Sequence, residues 1–320
     1  MHYFIIIPLL LLTLTTFAQP GGSTVFNELR MVTSPRVAAM GSNFAAFNDH
    51  DINIERTVPS FIQQQSSGQL SLSFIDYFAG INYGQVAYGH HFKRQGNFIG
   101  SLQFFNYGSF NRADETGTLY GEFNAASYIF QVGWGKPLSE NIAIGSSLKL
   151  AYTNMESYTS SAIAFDITAN YNNNDTSLTG VILMQNLGRQ LKAFVPGETY
   201  PLPFAIHAGI SKKLAHNPLA LSILLTNLQQ FDLSYNDPFN PTMTVNALTG
   251  DTTFTSNAIL FADKLFRHVV VGGELRLSKA LSIRLSFNYK QRKEMLIDTR
   301  KAMVGFSWGL GIMVKGFRFD

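Results

Sequence analysis

Leu281-Ser282-Ile283-Arg284-Leu285-Ser286-Phe287-Asn288-Tyr289-Lys290 alternates without a break. Leu281, Ile283, Leu285, Phe287 and Tyr289 share one face, and Ser282, Arg284, Ser286, Asn288 and Lys290 share the other. Successive side chains of an extended strand point to opposite faces, so a period of two marks a strand with one apolar and one polar side. The next segment repeats the pattern. Val304, Phe306, Trp308, Leu310 and Ile312 oppose Gly305, Ser307, Gly309 and Gly311. Upstream, Tyr128, Phe130, Val132 and Trp134 oppose Ser127, Gln131 and Gly133; Ile144, Leu148, Leu150 and Tyr152 oppose Ser147, Lys149 and Thr153. From Leu70 onward about twelve segments of roughly 8–14 residues read as strands by this test.

The connections supply the next clue. Lys93-Arg94-Gln95-Gly96, Pro137-Leu138-Ser139-Glu140-Asn141, Ala215-His216-Asn217-Pro218 and Ser278-Lys279-Ala280 are tight. The stretches 110–122, 188–201, 231–265 and 293–301 are long. Short turns on one rim and longer loops on the other are the signature of an antiparallel outer-membrane β-barrel. The apolar faces carry large residues, and Tyr152, Tyr171, Phe231 and Tyr289 stand at strand ends, where interfacial aromatic girdles belong. A secreted β-sandwich would alternate too, but the polar faces here mix charges with Ser, Gly and Thr, as a polar lumen does. The fold class is therefore all-β, a transmembrane antiparallel barrel spanning residues 69–320.

Composition agrees. Charged residues make up 14% of the chain, against about 25% in soluble domains. Cysteine is absent, which excludes disulfides, thiol chemistry and Cys-ligated zinc. The net charge of +3 gives no reason to expect nucleic acid. Phe4–Phe17 is a largely apolar run before Ala18, and residues 1–18 read as a secretory signal. The run is too short for a membrane helix, which needs about 20 apolar residues. Residues 19–68 do not alternate and read as a plug inside the barrel, with a short helix expected around Ser23–Leu29 behind a Ser or Thr cap.

Two groups of residues are candidate sites. A tight turn centred on Lys279 places Glu274 opposite Arg284, with Arg276 one diagonal away; this reads as an ion network bracing the lumen, with a selectivity site as the alternative. The long stretch 231–265 carries Tyr235, Phe239, Met243 and Phe254, and apolar groups in a surface loop read as a partner-binding surface, with a loop folded inward to cap the lumen as the alternative. Nothing points to an enzyme, a cofactor or a metal. Gly305-Phe306-Ser307-Trp308-Gly309 matches a nucleophile elbow in letters but lies within regular strand alternation. His90 and His91 point to opposite faces. Asp49-His50-Asp51 reads as a solvated loop.

Several segments resemble the PorQ family, outer-membrane components of the type IX secretion system of Bacteroidetes. The resemblance lies in Val25–Gly41, Ile81-Asn82-Tyr83-Gly84, Asn106–Phe110, Gly121–Tyr128, Glu156–Ser160, Pro201–Phe204 and Gly209–His216. It runs from about residue 22 to the end and rests on order and spacing rather than on one motif. PorV and fatty-acid-transporter-like barrels share the plug-plus-barrel plan more loosely. The resemblance implies a non-enzymatic member of the cell-surface attachment complex, with the PorU sortase, PorV-like barrel and PorZ-like surface protein as partners. The implied role is to anchor the PorZ-like protein, which recognises anionic lipopolysaccharide, and to support attachment of secreted cargo. The alternatives are a conduit for small hydrophobic molecules and a secreted adhesive protein. About 14 strands are implied, so twelve and an interrupted thirteenth, Phe317–Asp320, suggest a shortened or variant end or a strand that the period-two test misses. Val58-Pro59-Ser60-Phe61 also departs from the Asn-Pro-Ala-like plug junction of related barrels.

Overall fold

The computed structural model describes residues 24–173, 175, 177–215, 217–234, 243–245, 252–254, 256–296 and 303–320. The expected signal and the first residues of the plug lie outside them. Thirteen strands form one antiparallel sheet in sequence order. They are β1 (Leu70–Asp76), β2 (Asn82–Phe92), β3 (Gly96–Ala113), β4 (Leu119–Pro137), β5 (Ile142–Met155), β6 (Tyr158–Asn172), β7 (Leu178–Lys192), β8 (Ala205–Lys213) and β9 (Leu219–Leu225), followed after a separate hairpin by four more. The hairpin pairs β10 (Met243–Val245) with β11 (Thr252–Phe254), and the sheet resumes with β12 (Val269–Arg276), β13 (Leu281–Asn288), β14 (Phe306–Val314) and β15 (Phe317–Phe319). The interrupted thirteenth segment of the sequence is thus a strand, folded back on β14 through Lys315-Gly316. No helix among the described residues is long and apolar enough to cross a membrane.

Alternation translates directly into two faces. Leu148, Leu150 and Tyr152 on β5 and Phe165, Ile167 and Tyr171 on β6 are exposed on the outside. Ser147, Lys149 and Thr153, with Asp166, Thr168 and Asn170, are buried inside. The wall buries them because residues 24–68 fill its interior. Phe44, Phe47, Val58 and Phe61 of this plug pack with Val181, Leu183, Leu224 and Val270 of the wall. A second cluster joins Phe26 and Leu29 to Phe105 and Ile129. Each such side chain contributes about 1.5–3 kcal/mol relative to exposure in water. The expectation of a polar inner face therefore needs correction: inward positions over the plug's apolar side are apolar too.

The plug runs the depth of the wall. At the rim of longer connections, the Val25 amide donates to the Pro201 carbonyl (3.1 Å), and Glu28 accepts from Ser127 (2.8 Å). At the opposite rim the Pro59–Phe61 turn lies against β4, β5 and β6, with the Ser60 amide donating to Thr168 Oγ1 (2.7 Å). The two ends of the sheet meet one helical turn of the plug. On the helix Ile52–Thr57, Asn53 accepts from Ser71 of β1 (2.8 Å); its cap Asp51 accepts from Arg318 of β15 (3.0 Å). The sheet wraps around its own N-terminal segment.

Gly145 marks one of the tightest approaches of plug and wall. A Cβ there would stand 2.2 Å from the Pro59 carbonyl carbon and 2.2 Å from the Ser60 nitrogen, both backbone atoms that cannot swing aside. Gly145→Val is expected to lower stability by about 1–3 kcal/mol, the usual cost of overpacking. A reduced urea midpoint with an unchanged transition slope would show it.

Several boundaries differ from the sequence reading. The stretch 110–122 is mostly strand: a bulge between Asn106 and Ser109 shifts the register, after which β3 and β4 pair again and Phe110 stacks on Phe123 at 5.3 Å. The strand read through Lys290 stops at Asn288. The Asn288 side chain accepts from the Gln291 amide (3.1 Å) and caps a helix, Tyr289–Met295, rich in helix-favouring Lys, Gln, Arg and Glu. The ninth strand ends at Leu225, so Phe231 is not at a strand end. Near the N-terminus, Asn27–Arg30 is a 3-10 turn, and no side chain caps it.

Candidate functional site

Arg36 is the centre of the largest charged group in the lumen. It lies on the helix Pro35–Ala39, which starts where local chemistry favours it: Pro35 is pre-shaped for a first helical turn, and Ser34 accepts from the Val37 amide (3.4 Å). The arrangement fixes Arg36 with no exposed surface. Its guanidinium donates to Asp49 (2.6 Å), Asp51 (2.7 Å) and Glu274 (2.9 Å). Glu274 sits on β12 in register with Arg284 on β13 and accepts from it at 2.8 Å; Arg276 donates to its other oxygen at 2.8 Å. Arg276 also reaches Asp49 (2.6 Å), Arg284 reaches Asp320 (2.6 Å), and Arg318 reaches Asp51 (3.0 Å).

Four guanidiniums and four carboxylates thus alternate from a buried centre out to a partly exposed edge, tying the plug to β12, β13 and β15. Burial opposes the charge on Arg36, but its three carboxylates outweigh that and hold its pKa well above the ordinary value. Burial likewise pushes Asp49 upward, and Arg36, Arg276 and Arg318 overcome it, leaving Asp49 below the usual carboxylate range. The network is matched in charge and closed at Arg36, Arg284 and Glu274, and it reaches solvent only at its edge, through Arg276 and Arg318. Its chemistry suits holding, not turnover.

The sequence brought Glu274, Arg276 and Arg284 together; it missed Arg36, Asp49, Asp51, Arg318 and Asp320. Asp49-His50-Asp51 is not a solvated loop, because both carboxylates are turned inward onto Arg36. The available signal was an arginine inside the small-residue segment Ser34–Gly41, which demanded a buried acid. Among the described residues no three His, Asp or Glu side chains are grouped to hold a metal ion. Ser307 lies in β14 in plain register with Ser286.

A second polar group lies higher in the lumen. Asp166 accepts from Lys149 (2.7 Å) and Ser147 (3.0 Å), and from the Asn186 amide (2.9 Å). A bulge at Gln185 and Asn186 makes this possible, since both side chains turn inward there.

Of the four proposed partner-binding residues, Tyr235 and Phe239 lie outside the described residues. Met243 and Phe254 face each other across the register of the β10–β11 hairpin. The same connection contains a feature that periodicity did not reveal, the helix Asn257–Phe266. It exposes Ile259, Phe261, Leu265 and Phe266. Asp263 accepts from Arg267 at the helix's own C-terminal end (2.7 Å) and ties the helix to the neighbouring helix Tyr289–Met295 by accepting from Tyr289 (2.7 Å). An apolar surface thus stands on the long-loop rim, held to the helix that follows β13. The sequence matches no protein-family model and no curated protein.

Proposed function

We propose that this chain is an outer-membrane scaffold of the PorQ type, which holds a PorZ-like protein at the cell surface beside PorU sortase and a PorV-like barrel. The observation that carries the reading is the stapled lumen. A plug bonded to strands all around the wall and locked by a buried ion network suits an anchor better than a passage. The outward apolar faces favour a lipid surround, and the apolar run before Ala18 favours export. The rim helix Asn257–Phe266 and the hairpin before it offer a docking surface to a partner outside the cell.

Replacing 236–256 by a short Gly/Ser linker tests the reading. Surface loops tolerate length changes at small entropic cost, so the barrel is expected to assemble normally. The PorZ-like protein is expected to leave the cell surface, with secreted cargo no longer attached. Full surface retention of that partner on a correctly assembled variant would remove the hairpin segment as its docking site. Loss of fatty-acid uptake in place of either effect would favour the conduit alternative.

A further inference from the structure

Beside the Asp166 group, where plug and wall meet, lies a cavity of about 20 Å³. Arg30 and Arg56 of the plug and Lys149 of β5 line it, with the amides of Gln103, Gln131 and Gln185. No carboxylate is in its lining. We propose that this cavity is a binding site for one monatomic anion, chloride in the cell, clamped between plug and wall.

The charge balance points there. Arg56 is buried, and its terminal nitrogens donate to neutral groups: Gln131 Oε1 (3.1 Å) and Thr33 Oγ1 (3.1 Å). Its Nε has no partner, and neither does Nε of Arg30. Among the described residues neither arginine forms an ion pair, in contrast to every guanidinium of the Arg36 network. The nearby carboxylate, Asp166, is already engaged by Lys149, Ser147 and the Asn186 amide. Three cations therefore share one acid. An arginine side chain cannot shed its proton to escape burial, so an unpaired one is a large cost unless a counter-charge sits beside it. Burial also holds Arg56 down at about 10, as expected of a guanidinium lacking an acid in contact.

Size and donor type select the guest. A cavity needs about 10–15 Å³ of this kind of volume for one water-sized occupant, so there is room for a single atom and none for phosphate or sulfate. Metal cations are excluded by the sign of the lining. Gln185 already accepts from Asn43 (2.8 Å), which leaves its amide N–H groups as donors. Such an ion would bond plug residues Arg30 and Arg56 to the wall at Lys149, apart from the ion pairs of the Arg36 network.

The test uses the mature protein purified from membranes and crystallised throughout in bromide. One anomalous peak is expected between Arg30, Arg56 and Lys149. Density there with no anomalous signal would be water and would overturn the proposal. In detergent, the unfolding temperature is expected to be higher in chloride than in gluconate at equal ionic strength, and the difference should vanish in Arg56→Gln. An equal unfolding temperature of the wild-type protein in both salts would also overturn it. Should Arg56→Gln fail to fold, the bromide measurement on the wild-type chain decides alone.

Discussion

Arg36→Met is expected to destabilise the folded barrel by about 3–5 kcal/mol, because it leaves buried carboxylates without their counter-charge. Asp49, Asp51 and Glu274 all face Arg36 at 2.6–2.9 Å. Arg276, Arg284 and Arg318 remain, but none can occupy the centre. Arg318→Met should cost far less, since Arg318 is partly exposed and pairs at the edge of the group. Urea titrations of the two variants in detergent would measure the contrast, and equal costs would place the network's weight elsewhere. The same network carries a pH dependence. Asp49 has a depressed pKa in the folded protein, so its contribution is present above the ordinary carboxylate pKa of about 4. It is lost as the pH falls through the folded value. Stability should therefore decline on acidification below about pH 4, and Asp49→Asn should flatten that part of the profile.

The second large effect concerns the outer face. Leu285 is exposed halfway along β13. Leu285→Arg is expected to cost about 2–4 kcal/mol if this face meets hydrocarbon near its midplane, and Leu277→Arg, in the turn at the rim, about 0–1 kcal/mol. Urea-dependent folding into lipid vesicles reads both. Equal costs would contradict a lipid-facing wall. Phe287 would be a poor probe, because it stands at the strand end against Phe306 (4.8 Å). Ser286, the natural inward control by alternation, is no wet site: it is buried and donates to the Ala39 carbonyl (2.8 Å).

That last pair shows what the sequence could and could not disclose. The strands were legible because each side of the wall meets a different environment, and a period of two records it residue by residue. Glu274 and Arg284 were legible because a tight turn fixes the register across two adjacent strands. Arg36 was not, since it meets Glu274 across 238 positions and through a plug without periodicity. Nor could alternation distinguish a polar face against water from one against another part of the chain; Lys149 and Ser286 read alike in both cases. The rim helix Asn257–Phe266 escaped because it sits inside a long connection and buries none of its residues, so its apolar side has no core within the chain to mark it.

The most direct test of the central claim is mild-detergent purification of the tagged protein from native outer membranes, with its companions identified by mass spectrometry. A plugged scaffold is predicted to bring down a PorZ-like surface protein together with PorU- and PorV-like partners. Recovery of the intact barrel alone, or its absence from the outer-membrane fraction, would contradict the account.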